Sequence, residues 1–147
     1  MPHFTLDLSQ GRPLIDLMVM VSGPKLQMLA SRGQAAPPSQ TARGLVDTGA
    51  SCTCIDPMIF NALGLQPTGV VPMLTPSTGL TPKNAETYDV GIMIPNGQEY
   101  PLIIPTLAVS ASELYASQGF HALIGRDILS QCILIYNGKV PIFTLSY

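Results

Sequence analysis

Charged residues are scarce in this 147-residue chain, because Asp, Glu, Lys and Arg make up only 11% of it. Soluble domains usually contain about 25%. Seven Lys and Arg stand against nine Asp and Glu, and no run of basic residues forms a stripe that could follow a phosphate backbone. We therefore expect no nucleic-acid partner. The scarcity of charge also leaves apolar surface on a lone subunit, which indicates a subunit interface.

Long hydrophobic runs are absent as well. Proline or polar residues interrupt every apolar stretch well before the roughly 18 residues that a membrane-spanning helix needs. The first residues, Met1 to Thr5, lack the charged and apolar regions of a signal peptide. We therefore expect a cytoplasmic protein with no membrane insertion.

Cysteine is limited to Cys52, Cys54 and Cys132. An odd number cannot pair completely within one chain, and Cys52 and Cys54 are too close in an extended segment for an ordinary disulfide. Cys-x-Cys alone also lacks the paired spacing of zinc sites. The sequence predicts reduced, buried thiols and no metal site.

Proline and glycine, by contrast, are abundant, with 14 and 13 residues. They divide the chain into short runs rich in Val, Ile, Leu, Thr and Tyr, which is typical of an all-β or mostly β domain, and the length fits one domain over residues 1–147. The predicted strands are 14–21, 42–47, 53–55, 70–74, 87–94, 100–109, 131–136 and 140–145. Asn96-Gly97 and Asn137-Gly138 predict hairpin turns between strands.

Helical signals are few. Asp56 and Pro57 can cap and start a two-turn helix that stops at Gly64. A second short helix is predicted over 127–131 and a third over 111–117. The polar, proline-containing stretch 23–44 predicts a long surface loop, which we interpret as an insertion.

The segment with chemical content is Leu45-Val46-Asp47-Thr48-Gly49-Ala50-Ser51. Its apolar residues predict a buried strand that delivers Asp47 into a turn at Gly49. Because an ionised carboxylate is costly to desolvate, Asp47 is either a structural acid with satisfied partners or a group used in chemistry. This segment alone leaves both open.

A second segment, Ala122-Leu123-Ile124-Gly125-Arg126-Asp127, is again an apolar strand that ends in glycine, followed by a short helix. In this order the two segments resemble the retropepsin-like aspartic proteases, the retroviral and retroelement type with a single Asp-Thr-Gly per chain. The resemblance covers the chain from about Leu14 to Tyr147. It implies a homodimeric acid-protease fold built on a closed barrel, with one or two short helices.

The resemblance also implies roles for individual residues. Asp47 would be catalytic, within an active-site loop of Thr48, Gly49, Ala50 and Ser51, and the Thr48 hydroxyl would brace the two loops of a dimer. Gly125, Arg126 and Asp127 would form a structural second motif behind that loop. The substrate-binding flap would lie at 73–80. Its candidate residues are Thr75, Ser77, Thr78 and Gly79.

The chemistry of the family needs two carboxylates, and this chain has one Asp-Thr-Gly. The second would come from another copy, so the resemblance implies a homodimer in which two Asp47 side chains share a proton and activate water. The substrate would be a polypeptide, with no metal or cofactor required. The hairpin 133–145, together with the N-terminal segment, is the expected interface.

Some residues depart from the compact viral enzymes. Ser51 stands where many of them carry an acid that pairs with the arginine, so Arg126 needs another acceptor: Asp127, Asp56 or a backbone carbonyl. Ala50 stands where pepsin-like relatives commonly place a hydroxyl that binds the catalytic carboxylate. The segments 23–44 and 110–120 look like additions that could widen, cover or block the cleft. The alternative function is a catalytically inactive dimerisation or peptide-binding domain.

Overall fold

The fold is described by a computed structural model over residues 1–75, 78–97, 99–114 and 118–147. Strands make up 45% of it, and its three helices are short. The strands are β1 (His3–Asp7), β2 (Leu14–Val21), β3 (Gln40–Val46), β4 (Cys54–Ile55), β5 (Gly69–Met73), β6 (Lys83–Ile94), β7 (Leu102–Ala111), β8 (Ala122–Ile124), β9 (Ile133–Asn137) and β10 (Ile142–Ser146). The helices are α1 (Gly23–Ser31), α2 (Pro57–Ala62) and α3 (Arg126–Leu129). The mostly β architecture predicted from the sequence is confirmed.

Six strands close into a barrel in the order β2-β3-β8-β4-β7-β6, and β6 pairs back with β2. The long strand β6 makes this possible because its second half pairs with β2, while its first half pairs with β5, which projects from the barrel as a hairpin arm. Alternate residues of β2, including Ile15, Leu17 and Val19, are buried inside the barrel. This period-2 pattern is what the apolar alternation of the sequence encodes.

The chain termini form a second, three-stranded antiparallel sheet with the order β1-β10-β9. Phe143 and Leu145 of the central strand β10 are fully buried, and Phe143 belongs to the core of the barrel. One face of the terminal sheet therefore packs on the barrel, and the other face remains outside.

The strand and turn predictions agree well with the structure. The predicted strand 14–21 coincides with β2, and the two Asn-Gly turns connect β6 to β7 and β9 to β10. The predicted helix after Asp56 is α2, whose first turn is capped by the Asp56 carboxylate through the Met58 N–H at 3.0 Å. The helix expected over 127–131 is α3, shifted slightly towards the N-terminus. Strand β1 was not predicted.

Two predictions need correction. The stretch 23–44 is not a continuous loop, because it contains helix α1 and most of β3, with residues 32–39 between them. Ser22 occupies the N-cap and a proline lies in the first turn, followed by strong helix formers such as Leu26 and Met28. The prediction of a helix over 111–117 is wrong for its first residues, because Ala111 ends β7 and residues 112–114 are irregular. Residues 115–117 of that prediction lie outside the described residues.

Across the described ranges, each helix is too short or too polar to cross a membrane.

Candidate active site

The end of strand β3 positions Asp47. Its N–H donates a hydrogen bond to the Ile124 carbonyl at 3.0 Å, which continues the parallel pairing of β3 with β8. The half-buried carboxylate accepts a hydrogen bond through Oδ1 from the Gly49 N–H at 2.8 Å. Among the described residues, no donor contacts Oδ2. One carboxylate oxygen is thus held by the turn, and the other is available.

The rest of the loop faces outwards. Thr48, Gly49 and Ser51 are exposed, whereas Ala50 is half-buried and donates its N–H to the Asp47 carbonyl at 3.2 Å. Within the described part of the chain, the Thr48 hydroxyl has no hydrogen-bond partner. The loop predicted from the sequence is therefore a tight turn whose outer residues are exposed.

Gly125 packs directly behind this loop. A Cβ at Gly125 would lie 2.5 Å from the carbonyl carbon of Cys52 and 2.6 Å from its oxygen, so that no side chain fits there. The Gly125 N–H donates to the Thr53 hydroxyl at 3.1 Å. The glycine is required for close approach of two backbones.

Arg126 holds the loop from the same side. Its Nη1 donates to the Thr48 carbonyl at 2.9 Å and to the Gly49 carbonyl at 3.4 Å, and its own N–H donates to the Ala50 carbonyl at 3.0 Å. Of the three acceptors considered from the sequence, the structure uses the backbone carbonyl. Asp56 instead caps α2 and accepts from the Leu114 N–H at 3.3 Å.

Asp127 is bonded to Thr53, a residue that sequence reasoning missed. The Asp127 carboxylate accepts the Thr53 N–H at 2.8 Å, the Thr53 hydroxyl at 2.7 Å and the Ile128 N–H at 2.9 Å. Thr53 is fully buried, and its hydroxyl both donates to Asp127 and accepts from Gly125. The available signal was a polar residue directly before the apolar strand β4, two residues after the motif.

Burial affects two of the three thiols, those of Cys54 and Cys132. Burial, with added contributions from Cys52, Asp127 and Asp47, raises the pKa of Cys54 to about 12. Burial also raises the pKa of Cys132. Both therefore stay protonated near neutral pH, and a nucleophilic cysteine needs the thiolate. All three cysteines are free, and the described ranges contain no group of three or more His, Cys, Asp or Glu side chains that could hold a metal ion.

The predicted flap residues lie in the connection between β5 and β6. Thr78 folds this connection into a turn, because its hydroxyl donates to the Thr75 carbonyl at 3.0 Å and accepts the Thr75 N–H at 2.9 Å. Gly79 has a positive φ of 58°, which glycine adopts without strain. Leu80 beside it is almost completely exposed. Ser77 lies outside the described residues.

A cavity of about 830 Å³ lies beneath this hairpin. Met73, Thr75 and Thr78 form its wall on the hairpin side, and Ser112 and Leu114 form the opposite wall. Leu123 lines it next to Ile124, whose carbonyl binds the Asp47 N–H. Asp47 itself is not among the lining residues. Part of the expected addition 110–120 does border this space.

No family model matches the sequence, and no curated protein matches it. Among solved structures, the chain is similar to a retropepsin-like aspartic protease from Rickettsia conorii, with 15% identity and a TM-score of 0.60 over 99% of this chain and 91% of that one. It is also similar to EIAV protease complexed with the inhibitor HBY-793, with 15% identity and a TM-score of 0.43 over 81% of this chain and 86% of that one. The first likeness spans the barrel and the terminal sheet alike. The chain has the retropepsin-like fold.

Proposed function

We propose that this protein is an aspartic endopeptidase that hydrolyses polypeptides as a homodimer, with Asp47 from each subunit forming the catalytic pair. The observation that carries the proposal is the setting of Asp47. It ends a buried barrel strand in an Asp-Thr-Gly turn, and the second motif holds that turn through Ile124 and Arg126. The retropepsin-like fold gives this arrangement its context.

The chemistry follows from two carboxylates placed close together. Two neighbouring carboxylates cannot both ionise at low cost, so they share one proton. The ionised Asp47 takes a proton from a bound water, which attacks the scissile carbonyl while the protonated Asp47 polarises it. The acid and base roles then reverse to protonate the leaving amine. Neither step needs a metal or a cofactor.

In the described part of the chain, Asp47 Oδ2 accepts no hydrogen bond, which leaves this oxygen able to bind water and supports the role. Here Gly49 engages only Oδ1, and the outward-facing Thr48 hydroxyl is available to a second subunit. In the dimer, each Thr48 braces the opposite active-site loop.

The substrate is an extended polypeptide held between the hairpin arm and the segment 111–114. This cavity is lined by apolar residues such as Met73 and Leu114, by Thr75 and Thr78, and by the charged residues Lys83, Glu86 and Glu113. Such a mixed lining suits a peptide whose backbone is hydrogen-bonded by strand-like pairing and whose side chains contact both apolar and charged groups. The hairpin arm is the element that closes over it.

Cleavage of an unstructured protein by purified wild-type chain tests the proposal, with Asp47→Asn as the inactive variant. Asn keeps the shape of Asp but can neither take a proton from water nor donate one as an acid. Asp16→Asn is the matched control, because Asp16 is an exposed aspartate whose partner is Arg43. We expect cleavage by wild type and Asp16→Asn only.

Two results would contradict the proposal. Cleavage by Asp47→Asn at the wild-type rate would remove Asp47 from the chemistry. A folded, dimeric wild-type chain that binds peptides without cleaving them would identify the inactive binding domain instead.

A further inference from the structure

The two Asn-Gly pairs of the chain both lie in turns between strands, but their surroundings differ. Asn96 follows β6 and is buried, with 7% of its surface exposed, and its Nδ2 has no hydrogen-bond partner among the described residues. Asn137 ends β9 and is exposed, as is Gly138 after it. Because glycine has no Cβ, its backbone nitrogen reaches the preceding side chain with little hindrance. Exposure therefore separates two pairs that the sequence makes alike.

The side chain of Asn137 folds back over its own turn. Its Oδ1 accepts the Lys139 N–H at 3.1 Å and the Val140 N–H at 3.0 Å. Two N–H groups that converge on one carbonyl oxygen stabilise the negative charge that develops on this oxygen when a nucleophile attacks the carbon. The turn therefore polarises the side-chain amide of Asn137 towards attack.

The backbone nitrogen of Gly138 is the nucleophile that the chain itself supplies. Within the part of the chain that the structure describes, the Gly138 N–H has no hydrogen-bond partner. Its attack on Asn137 Cγ closes a succinimide ring, and an intramolecular attack of this kind gains from proximity. The other two asparagines, Asn61 in α2 and Asn84 in β6, are each followed by alanine, whose Cβ hinders the same approach.

We propose that Asn137 is a site of spontaneous deamidation, promoted by the folded turn. The Gly138 nitrogen gives its proton to water and bonds to Asn137 Cγ, the bond from Cγ to Nδ2 breaks, and Nδ2 takes up a proton and leaves as ammonia. Water then opens the ring at either carbonyl. Opening at Cγ gives aspartate, whereas opening at the main-chain carbonyl gives isoaspartate, in which the main chain runs through the former side chain.

The two products change the turn differently. Aspartate keeps an oxygen for the Lys139 and Val140 N–H groups, and its charge strengthens such bonds. Isoaspartate lengthens the main chain by a carbon atom at the end of β9, where Asn137 pairs with Ile142 of β10. Both products add a negative charge to a chain whose formal net charge is -2, so ion exchange separates the modified protein from the unmodified one.

Ageing of the wild-type protein at mildly alkaline pH tests the proposal, with Asn96 as the comparison inside the same chain. Folded protein and protein in urea are incubated in parallel, and peptide mapping by mass spectrometry measures conversion of amide to acid at each asparagine. In urea the two Asn-Gly pairs are expected to react at similar rates. In the folded protein Asn137 is expected to react at least as fast as in urea and on the order of 10-fold faster than Asn96.

Asn137→Gln provides a second test, with Asn61→Gln as the matched control. Glutamine would have to close a larger ring, so its attack by the next nitrogen is much slower. Asn61 is also exposed, but it precedes alanine. Ion exchange of aged samples is expected to show the added acidic form in wild type and Asn61→Gln, and to show it strongly reduced in Asn137→Gln.

Three results would overturn the proposal. Slower reaction at Asn137 in the folded protein than in urea would show that the turn protects the amide. Conversion of Asn96 as fast as that of Asn137 in the folded protein would show that exposure and the two N–H groups do not select the site. Accumulation of the acidic form in Asn137→Gln at the wild-type rate would place the reaction elsewhere. None of these measurements depends on peptidase activity, so they leave the proposed function untouched.

Discussion

The buried Thr53 hydroxyl donates a hydrogen bond to Asp127 Oδ1 at 2.7 Å, while the Thr53 N–H donates to Oδ2 of the same carboxylate at 2.8 Å. One residue of the active-site segment thus occupies both oxygens of one residue of the second motif. With Arg126 on the Thr48 carbonyl, this pair locks the loop that carries Asp47 to the start of α3.

Thr53→Val is expected to lower the free energy of unfolding by about 2 kcal/mol, because it removes the hydroxyl that donates to Asp127 Oδ1 and leaves the buried Gly125 N–H without its acceptor. Urea unfolding measures the change. Thr41→Val is the control, since Thr41 is exposed on β3. Equal effects of the two substitutions would show that the buried bonds contribute nothing.

Arg126→Leu is expected to reduce kcat/KM about 100-fold, since small displacements of a catalytic group are costly to rate. Steady-state kinetics on a peptide substrate measures this. Arg43→Leu removes another partly exposed arginine, which is paired with Asp16, and is expected to retain wild-type kinetics. A parallel loss in both variants would point to a general effect of charge.

Cys54 gives a prediction for alkaline pH. Its pKa is raised by burial to about 12, whereas the unfolded thiol ionises near pH 9. Above pH 9 the unfolded chain loses a proton that the folded chain keeps, so Cys54 contributes a loss of stability between pH 9 and about 12. As the pH rises over this window, the unfolding free energy of wild type is therefore expected to fall relative to that of Cys54→Ala. A constant difference would contradict the burial of the thiol.

Ala50 gives a prediction for acidic pH. A hydroxyl that donates to a carboxylate stabilises its charged form, and Ala50 has none to offer. We expect activity to peak at mildly acidic pH, and Ala50→Ser to shift both limbs of the profile of kcat/KM towards acid. Gel filtration confirms that the variant is dimeric. An unchanged profile, or a shift towards alkaline pH, would refute this role of position 50.

The parts of the fold that the sequence predicted are those with a local physical cause. Alternating apolar residues predicted β2, Asn137-Gly138 predicted the terminal hairpin, and Asp56 with Pro57 predicted α2. Helix α1 was missed because none of its residues is buried, so it has no apolar stripe in the sequence. The β1 strand is equally weak in pattern and exists through its pairing with β10.

The candidate site divides in the same way. Asp47 and Gly125 were singled out because two motifs in a fixed order resemble a known family, and the structure brings both residues to one loop region. Thr53 could not be predicted, because its role depends on Asp127, which is distant in sequence and reaches it only in the folded barrel. The sequence likewise left three possible acceptors for Arg126, and only the folded loop shows that its guanidinium donates to the Thr48 carbonyl.

The central claim is that two Asp47 side chains from two copies form one catalytic site, and activity in mixtures of wild type with Asp47→Asn tests it most directly. Equal amounts of the two chains are allowed to exchange subunits, and cleavage is compared with that of wild type at the same total concentration. If both carboxylates are needed, only dimers of two wild-type chains are active, and the mixture retains about one quarter of the activity. A mixture that retains about one half would show that each chain works with its own Asp47 alone, and it would contradict the account.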